Sequence, residues 1–291
     1  MTSNAQNPSR RILLATDLGP DGDRALERAL FLRQAWKAQL VVLHVREAED
    51  AEVLDGPRAW LRESDPALEI KRQLRLELGA GADDVEVMLA DGDAAREIDE
   101  AADEIGCDLI IMGAARRSPY NLLELGQTLD RVLRRTSIPI LIVRRRTGGP
   151  YAQAIFATDL SASSQAAHLE AVELFPEPVY SYFHAFDAPM SGLVDDRAGF
   201  TADAQKAAEA ALEAFARELP VHRASGTPGL VVKHGAAART LCEHAAKIGA
   251  DLTILTASPR GAFTEVLRGS VVKDALECLV SDVLLVPDRR R

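Results

Sequence analysis

One sequence pattern occurs twice in this chain, and that duplication restricts its fold more than any other feature. Ala15-Thr16-Asp17-Leu18 returns 142 residues later as Ala157-Thr158-Asp159-Leu160. A longer match runs at an offset of 143: residues 92–111 align without a gap on 235–254 and share eleven identities. The register continues through Gly126 and Gly269. A repeat unit this long is a whole domain rather than the short module of a solenoid. The boundary falls at Gly148-Gly149-Pro150, which is turn and linker chemistry. The expected domains are therefore residues 1–147 and 151–291. A chain of 291 residues agrees with two domains.

Within each copy, short apolar runs alternate with helical periodicity. In copy one the expected strands are 11–16, 39–45, 85–89, 108–112 and 138–143. The expected helices are 21–38, 66–78, 94–105 and 122–135. In copy two the strands are 154–158, 179–186, 230–233, 252–256 and 283–286, and the helices are 164–175, 202–219, 237–248 and 264–279. Strands separated by single helices imply right-handed crossovers. The expected fold class is α/β, with two tandem Rossmann-like domains. Each is a five-stranded parallel sheet of order 3-2-1-4-5 with helices on both faces.

The composition is 47% hydrophobic and 27% charged, enough to bury a core. The formal net charge of −10 opposes phosphate backbones, so no nucleic-acid partner is expected. No apolar stretch is long enough to span a membrane. The polar start lacks the apolar core of a secretory signal, and a cytoplasmic location is expected. Cys107, Cys242 and Cys278 are sparse and far apart in sequence, which reads as reduced thiols and not a disulfide frame. No zinc-type ligand spacing occurs, and no metal site is expected.

Ligands of open parallel sheets bind outside the carboxyl ends of the strands, where strand order reverses. That crevice lies between strands one and four of each copy. In copy one, Thr16, Asp17 and Leu18 face Gly113 and the loop after it. In copy two, Thr158, Asp159 and Leu160 face residues 256–259. An aspartate there is either a loop or helix-capping carboxylate, or a contact to ribose, base or metal. The chain has no phosphate-binding Gly-x4-Gly-Lys-Ser/Thr and no Gly-x-Ser-x-Gly nucleophile turn. No catalytic residue is assigned. His44 and His184 hold equivalent places on strand two and read as scaffold histidines bonded to a neighbouring loop. The runs 144–146 and 289–291 read as solvated strand ends. Segments 47–65 and 187–200 follow strand two and read as surface excursions, with a lid as the alternative.

Several segments together resemble the universal stress protein family. They are the two Ala-Thr-Asp-Leu openings, Leu43-His44-Val45, the Asp-Leu-Ile-Ile-Met-Gly run at 108–113 and the closing Ile138-Pro139-Ile-Leu-Ile-Val143. The resemblance covers nearly the whole chain, twice. It implies a stress-response role with ATP, accompanied by Mg, as a regulatory ligand and at most slow hydrolysis. The nucleotide-binding branch carries Gly-x2-Gly-x9-Gly-Ser/Thr after strand four, where bare backbone amides approach phosphate. Copy one keeps Gly113 and Gly126 but has Arg116 and Gln127 at the other positions, with Thr128 one residue late. Copy two keeps Gly269, Ser270 and Val271 but has Thr256 and Pro259. The resemblance places Asp17 near ribose or base, Val45 against adenine, and Gly113, Arg116, Gly126 and Thr128 around phosphate. Its copy-two counterparts are Asp159, Gly269, Ser270 and Val271. It further implies an intrachain pseudo-dimer through strand five, with a homodimer also open. The degenerate loops leave two alternatives. One is a nucleotide-independent interaction or scaffold protein. The other is a binder of another small anionic or lipid-like ligand.

Overall fold

The computed structural model describes residues 10–17, 22–46, 68, 71–72, 75–76, 84–114, 127–187, 197–219, 228–257 and 271–288. Contacts divide the chain into two compact units, with the break between Thr147 and Gly148.

In the first unit the elements are β1 (Arg11–Ala15), α1 (Gly22–Trp36), β2 (Gln39–Arg46), β3 (Glu86–Asp91), α2 (Ala94–Ile105), β4 (Leu109–Gly113), α3 (Gln127–Leu133) and β5 (Ile140–Val143). Their strands lie in the order β3-β2-β1-β4-β5, and every pairing is parallel. The second unit contains β6 (Gln153–Ala157), α4 (Ala162–Leu174), β7 (Val179–Phe186), α5 (Arg197–Glu218), β8 (Gly229–His234), α6 (Ala237–Ile248), β9 (Leu252–Ala257), α7 (Val271–Cys278) and β10 (Asp282–Pro287). Its order is β8-β7-β6-β9-β10, again parallel. Both sheets have the expected 3-2-1-4-5 order.

The central strands are buried on both faces, which is why they read as continuous apolar runs instead of alternating ones. Ile12, Leu13, Leu14, Ile110, Ile111, Ile155, Phe156, Ile254 and Leu284 are all inaccessible to solvent. The edge strands β3 and β8 have only partly buried middles. Helices α2 and α6 keep the boundaries read from sequence. Each is stopped by a glycine in the left-handed region, Gly106 at φ 59° and Gly249 at φ 65°, whose amides close back on the last turn.

Other boundaries differ from expectation, two of them for a local reason. Strand β5 begins at Ile140 and not at residue 138, because Pro139 has no amide to give the ladder; the Ile138 amide instead donates to Thr136 Oγ1 at 3.1 Å. Helix α5 starts at Arg197, a turn early, through Gly199, so residues 197–200 of the expected excursion are helical. Residues 115–126 and 258–270 lie outside the described part, as do most of the 66–78 helix and the 47–65 excursion.

The reading of the cysteines is corrected. Cys242 on α6 and Cys278 at the end of α7 form a disulfide, with their Cα atoms 6.0 Å apart. Sequence distance hid the pairing: α6 and α7 pack against each other, which brings positions 36 apart side by side. Cys107 is free and buried.

Candidate functional site

Register fixes what meets at the carboxyl edge of each sheet. In the first unit Ala15 pairs with Leu43 on one side and Met112 on the other. Thr16 and Asp17 therefore leave β1 between the ends of β2, with His44 and Val45, and β4, with Gly113. Gly113 pairs with Val143, and the Ala114 amide donates to the Val143 carbonyl at 3.0 Å. Thr128 lies in the first turn of α3 and is half-buried. Asp17 is exposed, and Val45 and Gly113 are half-buried. Arg116 and Gly126 lie outside the described residues.

The second unit repeats this frame with different fittings. Thr158 and Asp159 leave β6 beside His184, and Thr256 stands where copy one has Gly113. Val271 opens α7 and is exposed, while Gly269 and Ser270 lie outside the described residues. Here the loop satisfies itself. Asp159 Oδ1 accepts from the Ser161 amide at 3.0 Å and from Ser164 Oγ at 2.7 Å. Ser161 caps α4 by accepting from the Ser164 amide. Ser163 Oγ donates to Asp288 Oδ2 at 2.8 Å, closing the loop against the end of β10. Burial raises the Asp159 pKa, but the hydrogen bonds from Ser161 and Ser164 outweigh it and hold the carboxyl below its ordinary 3.8. Leu160 sits at φ 65°, where a side chain meets its own backbone. Its amide bonds Thr158 Oγ1 at 2.9 Å, which holds that conformation. The bonds to Asp159 fit the loop and helix-entry reading of the aspartate.

The paired histidines are scaffold. His44 Nδ1 lies 3.0 Å from the Thr16 carbonyl, and His184 Nδ1 lies 3.0 Å from the Thr158 carbonyl. A carbonyl only accepts, so Nδ1 carries the proton in both. Each ring fixes the backbone just ahead of the aspartate. Sequence reading missed two further roles. Asp108 and Asp251, an identical pair in the repeat, cap the amino-terminal ends of β1 and β6. Asp108 accepts from the Arg11 amide at 2.8 Å, and Asp251 from the Ala152 and Gln153 amides at 2.8 and 3.0 Å. The serines at 161–164 were also overlooked, although Ser ahead of a helix is a capping signal.

Among the described residues, no cluster of three or more His, Cys, Asp or Glu side chains could hold a metal, and no helix is long and apolar enough to cross a membrane.

Two doubly wound α/β units, each reversing strand order between its first and fourth strands, define a tandem Rossmann-like protein. The sequence model of the universal stress protein family matches residues 8–144 and again 150–287, and the chain belongs to that family. It is 25% identical over 161 residues to stress response protein NhaX of Bacillus subtilis, covering 46% of this chain and 97% of that one. A universal stress protein of Methanocaldococcus jannaschii is 23% identical over 149 residues, covering 49% of this chain and 86% of its own. A crystal structure of a universal stress protein from Archaeoglobus fulgidus is similar over 96% of both chains, with a TM-score of 0.66 at 17% identity. At that identity the likeness concerns the fold.

Proposed function

We propose that this chain acts in the stress response by binding an adenine nucleotide, ATP with Mg, at the carboxyl edge of copy one. The observation that supports copy one is the difference between two crevices built on one frame. At the end of the fourth strand copy one has Gly113, whose bare backbone lets a ligand come close, and copy two has Thr256.

On this reading Asp17 faces ribose or base, Val45 lies against adenine, and Gly113, Arg116, Gly126 and Thr128 surround the phosphates. An arginine at 116 supplies charged donors where the family's second glycine supplies an amide. Mg would arrive with the phosphates, because it is held by few protein carboxylates in such sites. The nucleotide is read as a regulatory ligand with at most slow hydrolysis, for which Asp17 is the general-base candidate in copy one.

Calorimetric titration of the full chain with Mg-ATP tests this. We expect Gly126→Trp to abolish the heat and Gly269→Trp to leave it. Binding that survives Gly126→Trp but is lost in Gly269→Trp moves the site to copy two. No heat in the unaltered chain overturns the nucleotide reading and leaves the interaction-protein or other-ligand alternatives.

A further inference from the structure

The two units join equivalent helices with different chemistry at the same two positions. Asp99 on α2 aligns with Cys242 on α6, and Arg135, just past α3, aligns with Cys278 on α7. In the first unit Arg135 Nε lies 4.0 Å from Asp99 Oδ2, and Arg131 pairs with the α2 capping residue Asp93. In the second unit neither pair exists: Ala236 and Asp274 stand at the positions of Asp93 and Arg131, and the Cys242–Cys278 disulfide takes the place of Asp99–Arg135.

Four observations bear on whether that bond can open in the folded chain. The first unit shows that this helix pair docks without a covalent link. In the second unit both helices also bury apolar side chains, Leu241 and Ala245 on α6 and Ala275 and Leu276 on α7. A carbonyl on the facing helix lies near each sulfur: Cys242 Sγ is 3.8 Å from the Ala275 carbonyl oxygen and Cys278 Sγ 3.8 Å from that of Ala238. Reduction makes the sulfurs part, and these carbonyls are acceptors within reach of the thiols formed. Cys278 is also exposed, which gives an attacking thiolate access.

We propose that Cys242 and Cys278 form a reversible thiol–disulfide modification site, acted on by low-molecular-weight disulfides and dithiols, that fastens and releases α7. This goes beyond the nucleotide reading and does not depend on it. In the closing direction the Cys278 thiolate attacks one sulfur of a small disulfide and expels a small thiolate. The Cys242 thiolate then attacks the Cys278 sulfur and expels the second. Two electrons pass from the cysteines to the small disulfide, and the two protons end on the two small thiols. A dithiol reverses both steps. The closed ring spans 36 positions and runs from α6 through β9 to α7, so the bond ties the end of α7 to α6.

The test uses the full chain without denaturant. After dithiothreitol treatment, maleimide labelling read by intact mass is expected to add two labels. Cys107 stays unlabelled, because burial pushes its thiol up to about 12. Oxidised glutathione is then expected to restore the bridge, with loss of two hydrogens and no retained glutathione. Hydrogen exchange over α7, residues 271–278, should be several-fold slower in the bridged form. Labelling that needs denaturant would make the bond a fixed staple and overturn the proposal. So would a stable mixed disulfide, or exchange that does not change with redox state. The double variant Cys242→Asp with Cys278→Arg transplants the ion pair of the first unit and guards against loss of folding in single serine variants. Its exchange should not respond to dithiothreitol, and a response there would place the effect elsewhere and overturn the assignment.

Discussion

Asp17 and Asp159 are one residue in two copies, and their settings show how far a residue type alone can be read. An aspartate after a parallel strand serves either a ligand or its own loop, and only neighbours decide. At Asp159 the neighbours are Ser161 and Ser164, whose donors hold the carboxylate. We expect Asp159→Ala to cost about 1–2 kcal/mol in urea unfolding, the usual size for lost hydrogen bonds to a charged group. Asp159→Asn keeps an acceptor and should cost less. The native carboxyl titrates below its ordinary value, so its ionised form stabilises the fold above about pH 4, and that contribution is lost as pH falls through the folded pKa. Stability measured from neutral pH into acid should therefore fall less steeply in Asp159→Asn; an unchanged slope would refute the assigned role. The histidines were more legible, because a repeated ring at a strand end suggested a fixed partner. Replacing His184 by Phe leaves the Thr158 carbonyl short of a donor, and we expect a loss of about 1–2 kcal/mol.

At the scale of elements, helices α2 and α6 could be read to the residue because a glycine ends each and the 3.6 period fills it. The disulfide could not, since spacing along the chain says nothing about which helix faces which. Overlaying the two copies at an offset of 143 gives the missing hint, for it sets Asp99 with Arg135 against Cys242 with Cys278. The two ties differ in strength. Both partners of the Asp99–Arg135 pair keep solvent contact, and such pairs contribute about 1 kcal/mol or less. Asp99→Ala should lower the stability of its unit by no more than that. A cross-link across 36 positions restricts the unfolded chain by up to about 4 kcal/mol. We therefore expect dithiothreitol to lower the melting temperature of the second unit by several degrees, and Cys278→Ser to remove that response. A melting curve indifferent to reductant would contradict this.

At the scale of the molecule, the duplication and the strand–helix alternation carried the architecture, because parallel strands buried on both faces advertise themselves as apolar runs. The candidate site was less legible. Its geometry comes from the ends of strands far apart in sequence, and several of its residues lie in segments where glycine and side-chain substitutions trade roles. The proposed asymmetry has a count attached to it: titration with Mg-ATP should saturate at one nucleotide per chain, and a value of two would make the crevices equivalent. The matched positions on α2–α3 and α6–α7 carry one more implication. Salt screens an exposed ion pair and leaves a disulfide alone, whereas a reductant does the opposite. Each half of the chain is thus the other's built-in control: a disturbance common to both reads as heat or denaturant, and a difference between them reads as ionic strength or redox chemistry.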